Sequence, residues 1–218
     1  MTNWLLLTPT EFERNFLNEL VGLKSTAVEI CGFGPILAGI KTAELIGKHR
    51  PDRVLLLGIA GSYRAGAIER LPGSASLYSS VACYGVGAGD GDRFETAAEM
   101  GWPQWKLNGG DSIGESIQLN HHLGQAEHFE DHQLLTVCAA SGNKSDVKRR
   151  QDKFPDAVAE DMEGFAVAAA CQCFQVPLTI VRGISNVAGD RNKSNWKIKE
   201  ALEAAQTLAI QVIQDARN

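Results

Sequence analysis

The stretches Asp161-Met162-Glu163-Gly164 and Val181-Arg182-Gly183-Ile184-Ser185-Asn186 set a carboxylate and an amide at the borders of apolar runs. Glu163 follows the short extended stretch Ala157-Val158-Ala159-Glu160 and precedes Phe165-Ala166-Val167-Ala168-Ala169-Ala170, which reads as a helix. At a helix N-terminus the first-turn amides and the macrodipole keep a carboxylate ionised, so it can accept hydrogen bonds from sugar hydroxyls. The run Pro177-Leu178-Thr179-Ile180-Val181 reads as a buried strand of a mostly parallel sheet. Ligands of such sheets bind at the carboxyl ends of the strands, and Asn186 falls at that end.

The elements that must position these groups follow from short apolar runs alternating with helix-like stretches. Strands are expected at Trp4–Leu7, Ala27–Ile30, Val54–Leu57, Ser76–Val81, Leu134–Cys138 and Leu178–Val181. Helices are expected at Thr10–Leu20, Pro35–Lys48, Asp146–Lys153, Glu163–Phe174 and Trp196–Asp215. Pro35 suits a first helical turn, where its missing N–H costs nothing. The last helix carries an apolar stripe through Ile198, Ala201, Leu202, Ala205, Leu208, Ala209, Val212 and Ile213, at spacings of three and four that mark a core face. The alternation implies an α/β fold with helices on both faces of a central sheet. With 218 residues and no Pro- or Ser-rich linker, residues 1–218 are expected to form one domain.

Composition narrows the function. The chain is 44% hydrophobic and 22% charged with a net charge of −5, which argues against nucleic-acid or anionic-membrane partners and favours a small molecule. Its five cysteines (Cys31, Cys83, Cys138, Cys171, Cys173) are odd in number and lie mostly in apolar runs, as suits a reducing cytoplasm. Cys171 and Cys173 read as core packing, although two positions apart they do not share a helix face. His121, His122, His128 and His132 lack a companion ligand set at metal-binding spacing and read as a solvated helix or loop. The amino end has no targeting signal and no run reaches membrane-spanning length, so a cytoplasmic protein is expected.

The Met162-Glu163 pair entering a helix, the Arg-Gly-Ile-Ser-Asn run after a Val-Pro strand, and Asp190, Arg191 and Trp196 beyond it resemble the purine nucleoside phosphorylase and nucleosidase family. The similarity is greatest to its futalosine hydrolase branch. It extends to Thr8-Pro9-Thr10-Glu11-Phe12-Glu13 and Gly58-Ile59-Ala60-Gly61-Ser62, and residues 85–135 are its weakest part. The resemblance implies a three-layer α/β/α fold around a mixed, mostly parallel sheet, a homo-oligomer, and no metal or organic cofactor. It also implies site roles. Glu163 would hold the ribose hydroxyls and stabilise the developing cation, with Met162 packed against the sugar. Glu13 would activate the water, Glu11 taking that role if the register slips, while Thr10 with Glu13 also reads as a helix capping box. The loop Ala60-Gly61-Ser62 would lie beside the ribose, as would Ser185, and Arg191 and Trp196 would stand at the mouth or on a lid.

Asn186 bears on the substrate. An aspartic acid there, as in the methylthioadenosine nucleosidase branch, can give purine N7 a whole proton, which an adenine leaving group needs. An amide can only hydrogen-bond. A departing 6-oxopurine spreads its charge onto O6 and needs less help, so futalosine, releasing hypoxanthine on the menaquinone route, is the expected substrate. Three alternatives stand beside it: a 6-oxopurine nucleoside phosphorylase using Arg64 or Arg14 for phosphate, a methylthioadenosine or adenosylhomocysteine nucleosidase, and a catalytically silent nucleoside sensor. Ser141-Gly142-Asn143 is similar to the sister branch's Ser-Gly-Asp, but the shorter segment to Phe154 leaves the base-binding residues unassigned.

Overall fold

A computed structural model describes residues 2–17, 26–63, 71–107, 112–119 and 132–216. Nine strands build the main sheet: β1 (Trp4–Thr8), β2 (Thr26–Ile30), β3 (Arg53–Ser62), β4 (Ala75–Leu77), β5 (Ser80–Tyr84), β6 (Ser116–Gln118), β7 (Gln133–Val137), β8 (Ala157–Asp161) and β9 (Leu178–Val187). The described helices are α1 (Glu11–Phe16), α2 (Pro35–His49), α3 (Lys144–Lys153), α4 (Gly164–Cys173) and α5 (Ile198–Asp215). Strand order is β6-β5-β7-β8-β3-β1-β2, and β9 lies along the other edge of β3 and carries β4. The pairings β1–β2, β1–β3, β5–β7, β7–β8 and β3–β9 are parallel; β5–β6, β3–β8 and β4–β9 are antiparallel. The architecture is the expected three-layer α/β/α with a mixed, mostly parallel sheet.

Alternation along β1 explains the layers. Leu5 and Leu7 face one side with Val54 and Leu56, where Ala38, Leu45 and Ile46 of α2 and Val167, Ala168 and Cys171 of α4 pack. Trp4 and Leu6 face the other with Leu55 and Leu57, covered by Ala205, Ala209, Val212 and Ile213 of α5. Both faces being buried, the strand reads Trp-Leu-Leu-Leu rather than alternating apolar and polar.

Some boundaries differ from the sequence expectation. The run Ser76–Val81 divides, because Ala75–Leu77 pairs with β9 while Ser80–Tyr84 pairs with β7 and β6. The first helix stops at Phe16, and the remainder of the expected span to Leu20 includes residues outside the described set. Gly58-Ile59-Ala60-Gly61-Ser62 is not a turn but the second half of β3, paired throughout with β9. The bare face of Gly58 is taken up by Arg182 Nη1 and Glu13 Oε1, so the close approach its glycine permits is to side chains of the chain itself. Cys31 and Cys171 are buried, Cys83 is half-buried, and Cys138 and Cys173 are exposed, so Cys173 is not core packing. His132 is buried rather than solvated; His121, His122 and His128 lie outside the described residues.

Gly183 sets the fit of α5 on the sheet, because a Cβ there would collide with the backbone of Ala201. Backbone cannot step aside as a side-chain tip can. Gly183→Ala should therefore cost about 2 kcal/mol or more of stability, read as a lowered denaturant midpoint with an unchanged slope.

Candidate active site

The carboxyl ends of β1, β3, β8 and β9 enclose a cavity of about 350 Å³, within the size range of small-molecule sites. Its lining brings together Glu13, Ala60, Gly61, Met162, Glu163, Ser185, Asn186, Arg191 and Trp196 from segments far apart in sequence. Ser62, expected beside them, is fully buried and does not border the cavity. Ser62 lies one step further along β3, paired with Ala159 and Val187, neither of which lines the cavity.

Glu13 and Glu11 are separated by helix geometry. The side chain of Glu11 is exposed and bonds to Arg14, whereas Glu13 is buried and lines the cavity. Thr10 caps α1 by accepting from the Glu13 amide at 3.2 Å, while its hydroxyl donates back to Glu13 Oε2 at 2.6 Å. Oε1 accepts from the Ile59 amide at 3.2 Å. The capping-box glutamate and the buried carboxylate are thus the same residue, Glu13. Arg14 lies on the surface, and Arg64 is outside the described residues.

Glu163 occupies the N-cap of α4 but makes no capping bond to that helix. Its Oε1 instead accepts from Gly34 N at 3.0 Å, the N-cap residue of α2, and its Oε2 accepts from Arg182 Nη2 at 3.2 Å. The carboxylate therefore meets a different helix N-terminus from the one the sequence suggested. Nor does that keep it at an ordinary carboxylate value. Burial pushes Glu163 up to about 7; Arg182 and the Gly34 amide oppose this, and the neighbouring Asp161 and Glu13 charges add to it.

Arg182, unassigned in the sequence analysis, is the hub. Fully buried, it donates from Nε (3.1 Å) and Nη2 (2.5 Å) to Asp161 Oδ2, and Asp161 also accepts from Gly164 N and Thr136 Oγ1. Its Nη1 has no hydrogen-bond partner and abuts Gly58 beside Glu13 Oε1. One guanidinium thus binds two carboxylates, Asp161 and Glu163, and lies within the field of a third, Glu13. The signal was present in the sequence as an arginine inside an otherwise apolar strand.

Across the cavity, Ser185 Oγ donates to Asn186 Oδ1 at 2.8 Å, and Asn186 Nδ2 donates to the Val187 carbonyl at 2.9 Å. These contacts orient the amide and leave its second N–H free to donate. The wall beyond is Ser141 and Glu160, which the sequence left unassigned. Arg150 from α3 bonds to Glu160 Oε2, Ser141 Oγ and the Ala139 carbonyl, holding residues 139–141 against β8. At the mouth stand Phe12, Phe33 and Ile198, with the Arg191 guanidinium 5.2 Å from the Trp196 ring centre and Trp196 Nε1 donating to Asp190 O. The loop that carries Asp90, Asp92, Arg93 and Phe94 does not border this cavity with any of these four residues.

A larger cavity of about 880 Å³ lies at the amino end of β9, lined by residues such as Trp105, Leu119, Cys171 and Val176 and by no described carboxylate or cation. Among the described residues no group of three His, Cys, Asp or Glu side chains could hold a metal ion.

A family model described as the phosphorylase superfamily matches residues 122–216. The chain is 31% identical to a futalosine hydrolase of Thermus thermophilus over 92% of its own length and 91% of that protein. It is 27% identical to a 5'-methylthioadenosine/S-adenosylhomocysteine nucleosidase of a Geobacillus species over 89% and 79% of the two chains. Among solved structures, the nucleosidase of the same name from Neisseria meningitidis superposes with a TM-score of 0.78 at 18% identity, covering 98% and 99% of the chains.

Proposed function

Since the chain belongs to the nucleoside phosphorylase and nucleosidase superfamily and is a hydrolase of N-glycosidic bonds, we propose that its substrate is a 6-oxopurine nucleoside, futalosine, cleaved to release hypoxanthine. The observation that carries the choice is Asn186. It lines the cavity as an amide held between Ser185 and Val187, able to donate a hydrogen bond but not a proton. The 31% identity to a futalosine hydrolase supports the same reading.

In the proposed reaction the ribose lies over Met162, its hydroxyls bonded to Glu163. Glu13 takes a proton from a water that adds to C1′ as the C1′–N9 bond breaks. The bonding pair leaves with the base, whose charge spreads onto N7 and O6 under the Asn186 N–H. The cation-like sugar faces the site's carboxylates, and Arg182 behind them holds Glu163 in place. Residues 1–218 would act as one unit in the cytoplasm; no described helix is long and apolar enough to cross a membrane. The homo-oligomer implied by the family would cover Ile36, Leu37 and Ile40, which α2 exposes. Purified protein incubated with futalosine, inosine and methylthioadenosine, with and without phosphate, should release base fastest from futalosine and show no dependence on phosphate. Phosphate-dependent turnover would establish the phosphorylase reading instead, and faster methylthioadenosine cleavage the adenine-specific one.

Asn186→Asp tests the leaving-group argument. An ionised Asp would repel N7 and O6 of hypoxanthine and also the Val187 carbonyl that Nδ2 now contacts at 2.9 Å, so futalosine cleavage should fall about tenfold or more. The same carbonyl favours the protonated acid, which can serve an adenine leaving group. The ratio of kcat/KM for futalosine to that for its 6-amino counterpart should drop in the variant, increasingly so from pH 8 to pH 5. A ratio equal to that of the wild type would remove Asn186 from the base.

A further inference from the structure

The cavity at the amino end of β9 lies at the opposite end of α4 from the candidate active site. Glu163 stands at the amino end of that helix and lines the site, while Gln172, near its carboxyl end, lines the second cavity. The helix is about 15 Å long, so the two cavities are separate. A volume of about 880 Å³ is in the range of small-molecule sites. Three of its polar side chains are amides: Gln118 at the end of β6, Gln172 in α4, and Gln175 just beyond that helix. Trp105 and Phe174 border it, and both are exposed.

Two of these amides stand where the fold alone would favour something else. Gln172 Oε1 is sealed from solvent and has no hydrogen-bond partner, whereas a buried acceptor ordinarily has one. Gln175 lies in the left-handed region, at φ 56°. Its N–H donates to the Gln172 backbone carbonyl at 3.1 Å, and the Val176 N–H donates to the Cys171 carbonyl at 2.9 Å. This pair of bonds is the Schellman closure of a helix, in which the left-handed residue is usually glycine. Neither helix closure nor core packing calls for an amide at position 175, and no bond within the protein uses Gln172 Oε1.

We propose that this cavity is a second binding site, which takes an uncharged free purine base. The ligand is uncharged because no described carboxylate or cation borders the cavity to pair with a charge. It carries a donor, which Gln172 Oε1 lacks. It is flat and aromatic, because Trp and Phe side chains stack on bases, and an amide pairs edge-on with adjacent donor and acceptor atoms of a heterocycle. A purine base has all three properties, and a purine nucleosidase releases one at every turnover. Each amide can turn either its N–H or its C=O to the ligand, so 6-oxo and 6-amino bases are both accepted. The inference thus rests on cleavage of purine nucleosides and not on the choice of futalosine.

Cys173 supplies the readout, since its thiol is exposed and borders the cavity, whereas Cys138 is exposed elsewhere. Alkylation of both by iodoacetamide is followed by mass spectrometry with hypoxanthine, adenine, adenosine monophosphate or benzoate present. Either base should slow Cys173 about fivefold at about four times its dissociation constant and leave Cys138 unchanged. The two charged compounds should protect neither thiol. Gln172→Leu removes the unpartnered oxygen, so it should keep or raise the denaturant midpoint while weakening base binding at Cys173 about tenfold. Gln175→Gly relieves the left-handed residue and should also raise the midpoint and weaken protection. Competitive inhibition of nucleoside hydrolysis by hypoxanthine should be the same in both variants as in wild type. Absence of protection at the solubility limit, equal slowing of Cys138, equal protection by either charged compound, or protection undiminished in Gln172→Leu would overturn the proposal. So would a parallel loss of competitive inhibition in that variant, which would place the base in the active site alone. Protection of Cys173 without competitive inhibition in wild type would leave this site standing and overturn the purine reading of the active site instead.

Discussion

Glu163→Gln should lower kcat for nucleoside hydrolysis by about a hundredfold or more while nucleoside binding changes far less. The carboxylate faces a sugar that becomes cationic only in the transition state, so its charge acts there and scarcely in the ground state. The amide fits the same space: its oxygen can accept from Gly34 N, and Arg182 keeps both bonds to Asp161. Steady-state kinetics decide the matter, since an effect confined to KM would make Glu163 a binding residue only. The pH dependence gives a second signature. With Glu163 pushed up to about 7 by burial, kcat/KM of the wild type should fall as pH drops below 7, and the variant should lose that limb. Stability should move in the opposite sense. A folded-state value above the unfolded 4.5 means that protonation stabilises the folded chain, in full below about 4.5 and lost as pH rises through 7. Glu163→Gln should therefore raise the melting temperature over wild type at pH 8, with the gain vanishing toward pH 5.

Glu13→Gln should keep nucleoside affinity and lose hydrolysis by about a hundredfold or more, because an amide cannot take a proton from water. Its carbonyl can accept from the Ile59 amide, and its NH2 can donate to Thr10 Oγ1, so the cap of α1 survives. Binding of a non-hydrolysable nucleoside analogue, measured beside kcat, separates the two effects. Glu11→Gln, on the exposed face of α1, is the control and should leave turnover unaltered. If Glu11→Gln were the inactive variant, the water-activating role would belong on the other face of the helix.

The sequence by itself determined the layers, the polarity of the site and most of its residues. Continuous apolar runs and period-3.6 patterns are local, and they read β1, α2 and the α5 stripe correctly because burial is the main thing their residues encode. Glu163 and Asn186 were legible because each sits at the border of an apolar run, whereas Glu13 and Met162 were singled out by the family resemblance. Strand lengths were less so: nothing within Gly58–Ser62 says that the chain continues as β3, which is settled by pairing with β9 across more than a hundred intervening residues. The glycines there read as a turn, whereas Gly58 makes room for Arg182 and Glu13, and Gly61 lets Ala188 and Asn186 pack against β3.

Only the tertiary structure decided which partner each charge has. Glu163 looked like the cap of its own helix, but its bonds run to Gly34, 129 positions away, and to Arg182, and its burial among carboxylates overrides the helix dipole. Arg182 was one cation in an apolar strand until Asp161 and Glu163 came together around it. Glu160 and Asn186 are brought to opposite edges of Gly61 by strand pairing, which no spacing along the chain reveals. Hydrophobic pattern is a property of neighbours in sequence and survives in it; the protonation, orientation and specificity of a buried polar group depend on neighbours in space, and those the chain acquires only by folding.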